Sequence, residues 1–172
     1  MTRTPIVLCV LTAALLVGCE MPFGADPGDE AEKPDLTLQD QVQIEPGLTA
    51  RLYAPPDRVA AGDSFKVHFA AENTTEGSIE LQTGACWGRP AAFFRGEQVP
   101  LVGSLQICTL QLLTWTLQGK KTRERTFEMK ASLSEYSGSP EEKGPAEPGT
   151  YKLKARLDWT VEGKDIEQVL EA

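Results

Sequence analysis

Histidine is nearly missing from this 172-residue chain, with His68 the single example. Nucleophilic catalysis needs a base beside the nucleophile, and His68 falls on the solvent phase of an alternating segment between Val67 and Phe69. No Gly-x-Ser-x-Gly elbow accompanies it. Phosphate-cradling glycine loops, a His-Glu-x-x-His pair and a calcium-loop pattern are absent too. Cysteine is scarce, at four residues, and none stands in a Cys-x-x-Cys pair, which removes the dithiol redox motif. Glu124 and Glu128 would share a strand face. Four residues along a strand separate them by more than about 10 Å, too far for a joint acid–base pair. The chain reads as non-enzymatic, with no cofactor and no metal site expected.

Long apolar runs are missing as well. The longest, Ile6–Val17 behind Arg3, falls short of the roughly 20 residues a bilayer-spanning helix needs. A basic start, a short apolar core and small residues before a cut site make a secretory signal. The ending Leu16-Val17-Gly18-Cys19 resembles the lipobox of bacterial lipoproteins. That resemblance implies a signal peptide over 1–18 and a diacylated (palmitate-bearing) Cys19 as the first mature residue. It implies an exported protein held to the cell membrane by lipid. Glu20 stands where an Asp would favour inner-membrane retention, so the outer membrane is favoured if the host has one. A simple cleaved signal with an incidental Cys19 is the alternative.

Positive charge is in deficit, with 17 Lys and Arg against 25 Asp and Glu, and nucleic acid is not an expected partner. From Glu20 to Glu45 eight acids face Lys33 alone, giving −7, whereas 15 bases against 17 acids from Pro46 onward give −2. The acidity therefore belongs to a tail. With Pro22, Pro27 and Pro34 and few apolar residues, it cannot bury enough surface to fold. Residues 19–46 are expected to be a disordered linker, with Leu36–Ile44 also readable as an added edge strand. Residues 47–172 form the domain.

Helical periodicity is absent there, and strand periodicity is everywhere. Phe65, Val67, Phe69 and Ala71 alternate with Ser64, Lys66, His68 and Ala70, as a half-buried strand requires. Ile79 and Leu81 resume the pattern after the Asn73–Gly77 turn, whose Asn73-Thr74-Thr75 matches a glycosylation sequon but reads better as turn chemistry. Phe93-Phe94, a turn at Arg95-Gly96, and Val99 read as a hairpin. Leu110–Leu117 is apolar, and Phe127 and Met129 face in while Thr126, Glu128 and Lys130 face out. Tyr151, Leu153, Ala155 and Leu157 alternate with Lys152, Lys154 and Arg156, and Glu162-Gly163 leads to a last strand near Ile166–Leu170. Ser132–Pro148 reads as loop. Short strands between turn signals describe an all-β antiparallel sandwich.

The order Ala61-Gly62-Asp63, Phe65–Phe69, Asn73, a Gly96 hairpin, Leu117-x-Gly119, Phe127-x-Met129 and Pro148-Gly149-Thr150-Tyr151 resembles bacterial intracellular proteinase inhibitor domains. The resemblance covers roughly Leu48–Leu170 and implies an immunoglobulin-like sandwich. Gln118-Gly119-Lys120 stands where that family often has Pro-Gly-Glu, and the Cys86/Cys108 insert is not a family mark. No residue carries over as an inhibitory site.

Cys86 and Cys108 are the two cysteines left in the mature, exported chain. Oxidation is favoured outside the cytosol, so a structural disulfide between them is expected, worth about 3 kcal/mol. Trp115 and Trp159 lie in strand-like segments and read as core. Cys86-Trp87-Gly88-Arg89-Pro90 is a loop sequence; packing of Trp87 on the disulfide, closing one end of the sandwich, is the reading placed first, and Trp87 with Arg89 as a candidate binding loop comes second. Lys120, Lys121, Arg123 and Arg125 form the one basic cluster, either a charged hairpin that protects a sheet edge or a patch for anionic lipid or polymer. The expectation is a non-catalytic binding module in the cell envelope, facing an unidentified envelope protein or polymer. The alternative is a proteinase inhibitor or enzyme regulator.

Overall fold

Successive side chains of an extended backbone point to opposite faces, and the alternating segments of this chain do form strands. The computed structural model describes residues 35–104, 111–135 and 141–172. Among them are β1 (Thr37–Glu45), β2 (Leu48–Ala54), β3 (Ser64–Asn73), β4 (Ile79–Gly84), β5 (Ala91–Phe94) and β6 (Glu97–Val99). Then follow β7 (Leu112–Leu117), β8 (Thr122–Lys130), β9 (Ser132–Ser134), β10 (Glu142–Pro145), β11 (Tyr151–Val161) and β12 (Lys164–Glu171). No helix occurs among the described residues.

Pairing is antiparallel throughout. One sheet has the order β1-β2-β3-β8, and a second runs β6-β5-β11-β4-β7 with β12 also on β11, while β9 and β10 make a two-stranded ribbon. The two large sheets form an antiparallel β-sandwich. Leu52, Val67, Phe69 and Phe127 of the first share one buried cluster with Leu81, Leu153, Leu157 and Trp159 of the second. Each such side chain contributes about 1.5–3 kcal/mol by leaving water. Two hairpins close with both turn residues at positive φ: Arg95 at 53° and Gly96 at 88°, then Glu162 at 49° and Gly163 at 82°. That is the two-residue turn whose twist matches the flanking strands.

Three expectations need correction. The linker does not run to Pro46: the alternative edge strand over Leu36–Ile44 is what forms, as β1 at Thr37–Glu45, registered on β2 from Thr37↔Ala54 to Glu45↔Leu48. Its acids work as sheet contacts: Asp40 Oδ2 accepts the Glu171 N–H at 2.9 Å and Glu45 pairs with Lys164. They tie β1 to β12 across one side of the sandwich. The loop expected over Ser132–Pro148 contains β9 and β10. Backbone bonds hold this polar stretch, with Ser134 N–H donating to Pro100 at 2.7 Å and Val102 N–H to Ser132 at 3.0 Å. Ala70, placed on the solvent phase, is buried. It lies between Arg51 and Glu124 in register on the inner strand β3, where a methyl group is small enough to be shielded by its cross-strand neighbours. The signal segment 1–18, Cys19 and Cys108 lie outside the described residues.

Candidate functional site

A cleft opens at the sandwich end where β1, β3 and β11 begin. It has a volume of about 680 Å³, within the 300–1,000 Å³ typical of small-molecule sites. The β2–β3 connection supplies Pro55, Arg58 and Val59 to one wall, and Phe65 and Leu101 line it further. The opposite wall is Glu147–Tyr151, the stretch that carries Pro-Gly-Thr-Tyr. Tyr151 donates its hydroxyl to the Glu147 carbonyl at 3.0 Å, and its ring stacks on Phe94 at 4.7 Å. A Cβ on Gly149 would fall 2.5 Å from the Phe94 ring, so only glycine lets this wall close on the aromatic pair. Burial, then the Glu147 carboxylate, raise the Tyr151 phenol above its ordinary value, opposed by Arg95 and the hydrogen bond. Tyr151 is therefore a neutral donor across physiological pH. Apolar walls with a few oriented polar groups suit recognition, with no nucleophile–base pair among them.

Trp87 is not an exposed tip. It is 6% exposed and belongs to the core, where its ring lies 5.3 Å from Trp115, 5.7 Å from Phe69 and 6.4 Å from Trp159. Gly88, at φ 74°, turns the chain against the Phe69 ring, and so the indole enters between the sheets. Trp115 and Trp159 are buried as expected. The candidate loop thus divides: Trp87 packs, and Arg89 stays half-buried at the rim.

Arg89 does not stand alone there. The inward row of β8 reads Met129, Phe127, Arg125, Arg123, and passes from buried to exposed along that order. Because the phase is inward, the exposed Arg123 and the half-buried Arg125 stand on the sandwich side of β8 and not on its outer face. Arg123 stacks over Trp115 at 4.6 Å. Arg125 lies 5.1 Å from the rings of both Trp87 and Phe127, and Arg89 lies 5.3 Å from Phe127. Arg125 also donates through Nη1 to the Ala85 and Trp87 carbonyls at 3.0 and 3.2 Å. Burial first, then Arg89 and Arg123, lower the Arg125 pKa. Lys120 is separate, bound to the Thr74 carbonyl at 2.7 Å and paired with Glu76 at 3.2 Å. Sequence reading saw the basic cluster but missed that its arginines share the phase of Phe127, the signal that would have found this array.

His68 sits on the outer face of β3. Its Nδ1 lies 3.0 Å from Thr126 Oγ1 and its Nε2 3.6 Å from Glu124 Oε1. An acid, an imidazole and a hydroxyl are thereby aligned, but β3 is an inner strand with its backbone paired to β2 and β8. Its N–H groups are spent on those ladders and are not free to stabilise an oxyanion. Among the described residues, no group of three or more His, Cys, Asp or Glu is placed to hold a metal ion. Cys86 is half-buried beside Trp87 and is not free of a bonding partner. The chain matches no protein-family model and no curated protein.

Proposed function

We propose that this chain is an exported lipoprotein whose immunoglobulin-like sandwich acts as a non-catalytic binding module in the cell envelope. The end cleft carries the reading. It offers apolar walls with a neutral phenol, and Arg58, Asp57 and Glu147 at its edges, a surface suited to holding a partner. Lipidation of Cys19 supplies the anchor, since each buried acyl methylene adds about 0.8 kcal/mol of membrane affinity. The acidic stretch from Glu20 to β1 is a tether that lets the domain reach partners above the lipid surface. The outer membrane is the favoured address where the host has one. A Cys86–Cys108 bridge belongs to the same reading, supported by the cysteine count of the mature chain.

Photo-crosslinking in intact cells tests the binding role. A photoreactive residue at Val59, in the cleft, is expected to give a discrete adduct, while one at the exposed Glu128 on the outer sheet face gives none. Equal labelling from both positions, or substrate turnover that follows the purified protein, contradicts the reading.

A further inference from the structure

Arg89, Arg123 and Arg125 are gathered at one flank of the sandwich with no carboxylate paired to them among the described residues. Arg123 and Arg125 project from β8, and Arg89 comes from the loop between β4 and β5. None of the three makes an ion pair with a described residue, whereas ten other pairs of basic and acidic groups do. Nε of Arg89 is buried and has no acceptor among the described residues. Of the residues that are not described, 105–110 and 136–140 contain no Asp or Glu, and the acids among 1–34 are Glu20, Asp26, Asp29, Glu30 and Glu32 of the tail.

Holding three cations this close costs free energy unless something offsets it. Aromatic faces offset part of it, through Trp115, Trp87 and Phe127. Those same stacks fix the planes of the guanidinium groups before any ligand arrives, which lowers the ordering cost of binding. Burial first, and then the two neighbouring guanidinium groups, lower the Arg125 pKa. β7 and β8 are the terminal strands of their sheets at this flank, and Arg123 is exposed there.

We propose that Arg89, Arg123 and Arg125 form a binding site for a phosphate group, either free or carried on a lipid headgroup. A carboxylate offers two oxygens in one plane. A phosphate offers oxygens in tetrahedral directions, which suits three guanidinium forks arriving from two separate segments of the fold, and its charge matches three cations better. Two of the forks are wholly uncommitted to described acceptors, and the third uses Nη1 on backbone carbonyls, which leaves its remaining N–H groups for the anion. This site is separate from the end cleft, and its failure would leave the cleft reading standing.

Tryptophan emission of the full chain in neutral phosphatidylcholine vesicles reports on the site, because Arg123 lies on the Trp115 ring. Pyrophosphate is expected to change that emission saturably if the ligand is free phosphate. Phosphatidylglycerol in the vesicles is expected to do so if it is a headgroup. In either arm Arg123→Gln should weaken the response about tenfold or more, as loss of a charge-assisted contact does. Arg89→Gln should act likewise, and Arg156→Gln on the outer surface should leave it unchanged. Arg123→Lys, which keeps the charge and loses the fork, should fall between and guards against a folding defect. No saturable change in either arm, a response only to a polyglutamate peptide, or one undiminished in both Arg123→Gln and Arg89→Gln overturns the proposal.

Discussion

The side-chain amide of Asn73 donates to the Leu117 carbonyl at 3.0 Å and so ties the end of β3 in one sheet to the end of β7 in the other. The same nitrogen lies 2.8 Å from the Gly77 carbonyl and 3.2 Å from that of Gln118. Its Oδ1 accepts from the Thr75 N–H at 2.9 Å and the Thr75 hydroxyl at 2.7 Å. Asn73 is fully buried, so these carbonyls have no water to replace it.

Asn73→Asp keeps the shape and removes the donors, and it sets a carboxylate against three carbonyl oxygens. Leaving buried acceptors unmatched costs about 1–3 kcal/mol. Urea denaturation is expected to show a loss in that range with an unchanged slope. A midpoint equal to that of the natural chain would show that the sheets are joined by other means.

Trp87→Ala should behave as a core truncation. Removing a buried indole typically costs about 3–5 kcal/mol, and its neighbours Phe69, Trp115 and Trp159 lose their edge contacts with it. Thermal denaturation should reveal a large drop. A variant that melts like the natural chain would return Trp87 to the role of an exposed recognition residue.

The contrast at this loop shows what the sequence makes legible. Alternation is a local property, so Val67, Phe69, Leu153 and Leu157 announce their faces, and the strands from β2 to β8 and β11 to β12 follow. Trp87 has no such neighbours in sequence. Its burial depends on the turn at Gly88 and on a hole between Phe69 and Trp115 that only the assembled sheets create. β9 and β10 were illegible because backbone bonds to Pro100 and Val102 hold them in place of apolar side chains. β1 was readable both as tether and as an edge strand, because its apolar residues alternate while its acids find Lys164 and the Glu171 N–H only across the sandwich. Arg123 and Arg125 were visible as charge, while the meaning of their inward phase required Trp115 of the other sheet and Trp87 of the β4–β5 loop.

The acid side of the stability curve should carry the mark of Glu171. A hydrogen bond from Lys154 foremost holds its carboxyl below the usual value of 4.5; desolvation opposes it, and the charges of Lys154 and Lys152 add to the lowering. The folded value is depressed, so this contribution is complete above the unfolded value and is lost as pH falls through the folded one. Urea midpoints of the natural chain and Glu171→Gln should converge at low pH and separate above about pH 5. The gap should shrink in high salt, because the pair is exposed. Curves that stay parallel at all pH values would assign the acid sensitivity to other carboxylates.

A binding module on a lipid tether depends first on the tether. Detergent phase partitioning of the exported protein, natural against Cys19→Ala, tests this most directly. The natural chain is expected in the detergent phase, carrying acyl mass on an N-terminal Cys19, and Cys19→Ala should appear as an unprocessed or aqueous form. Equal partitioning of both into the aqueous phase, with unmodified Cys19, would contradict the account.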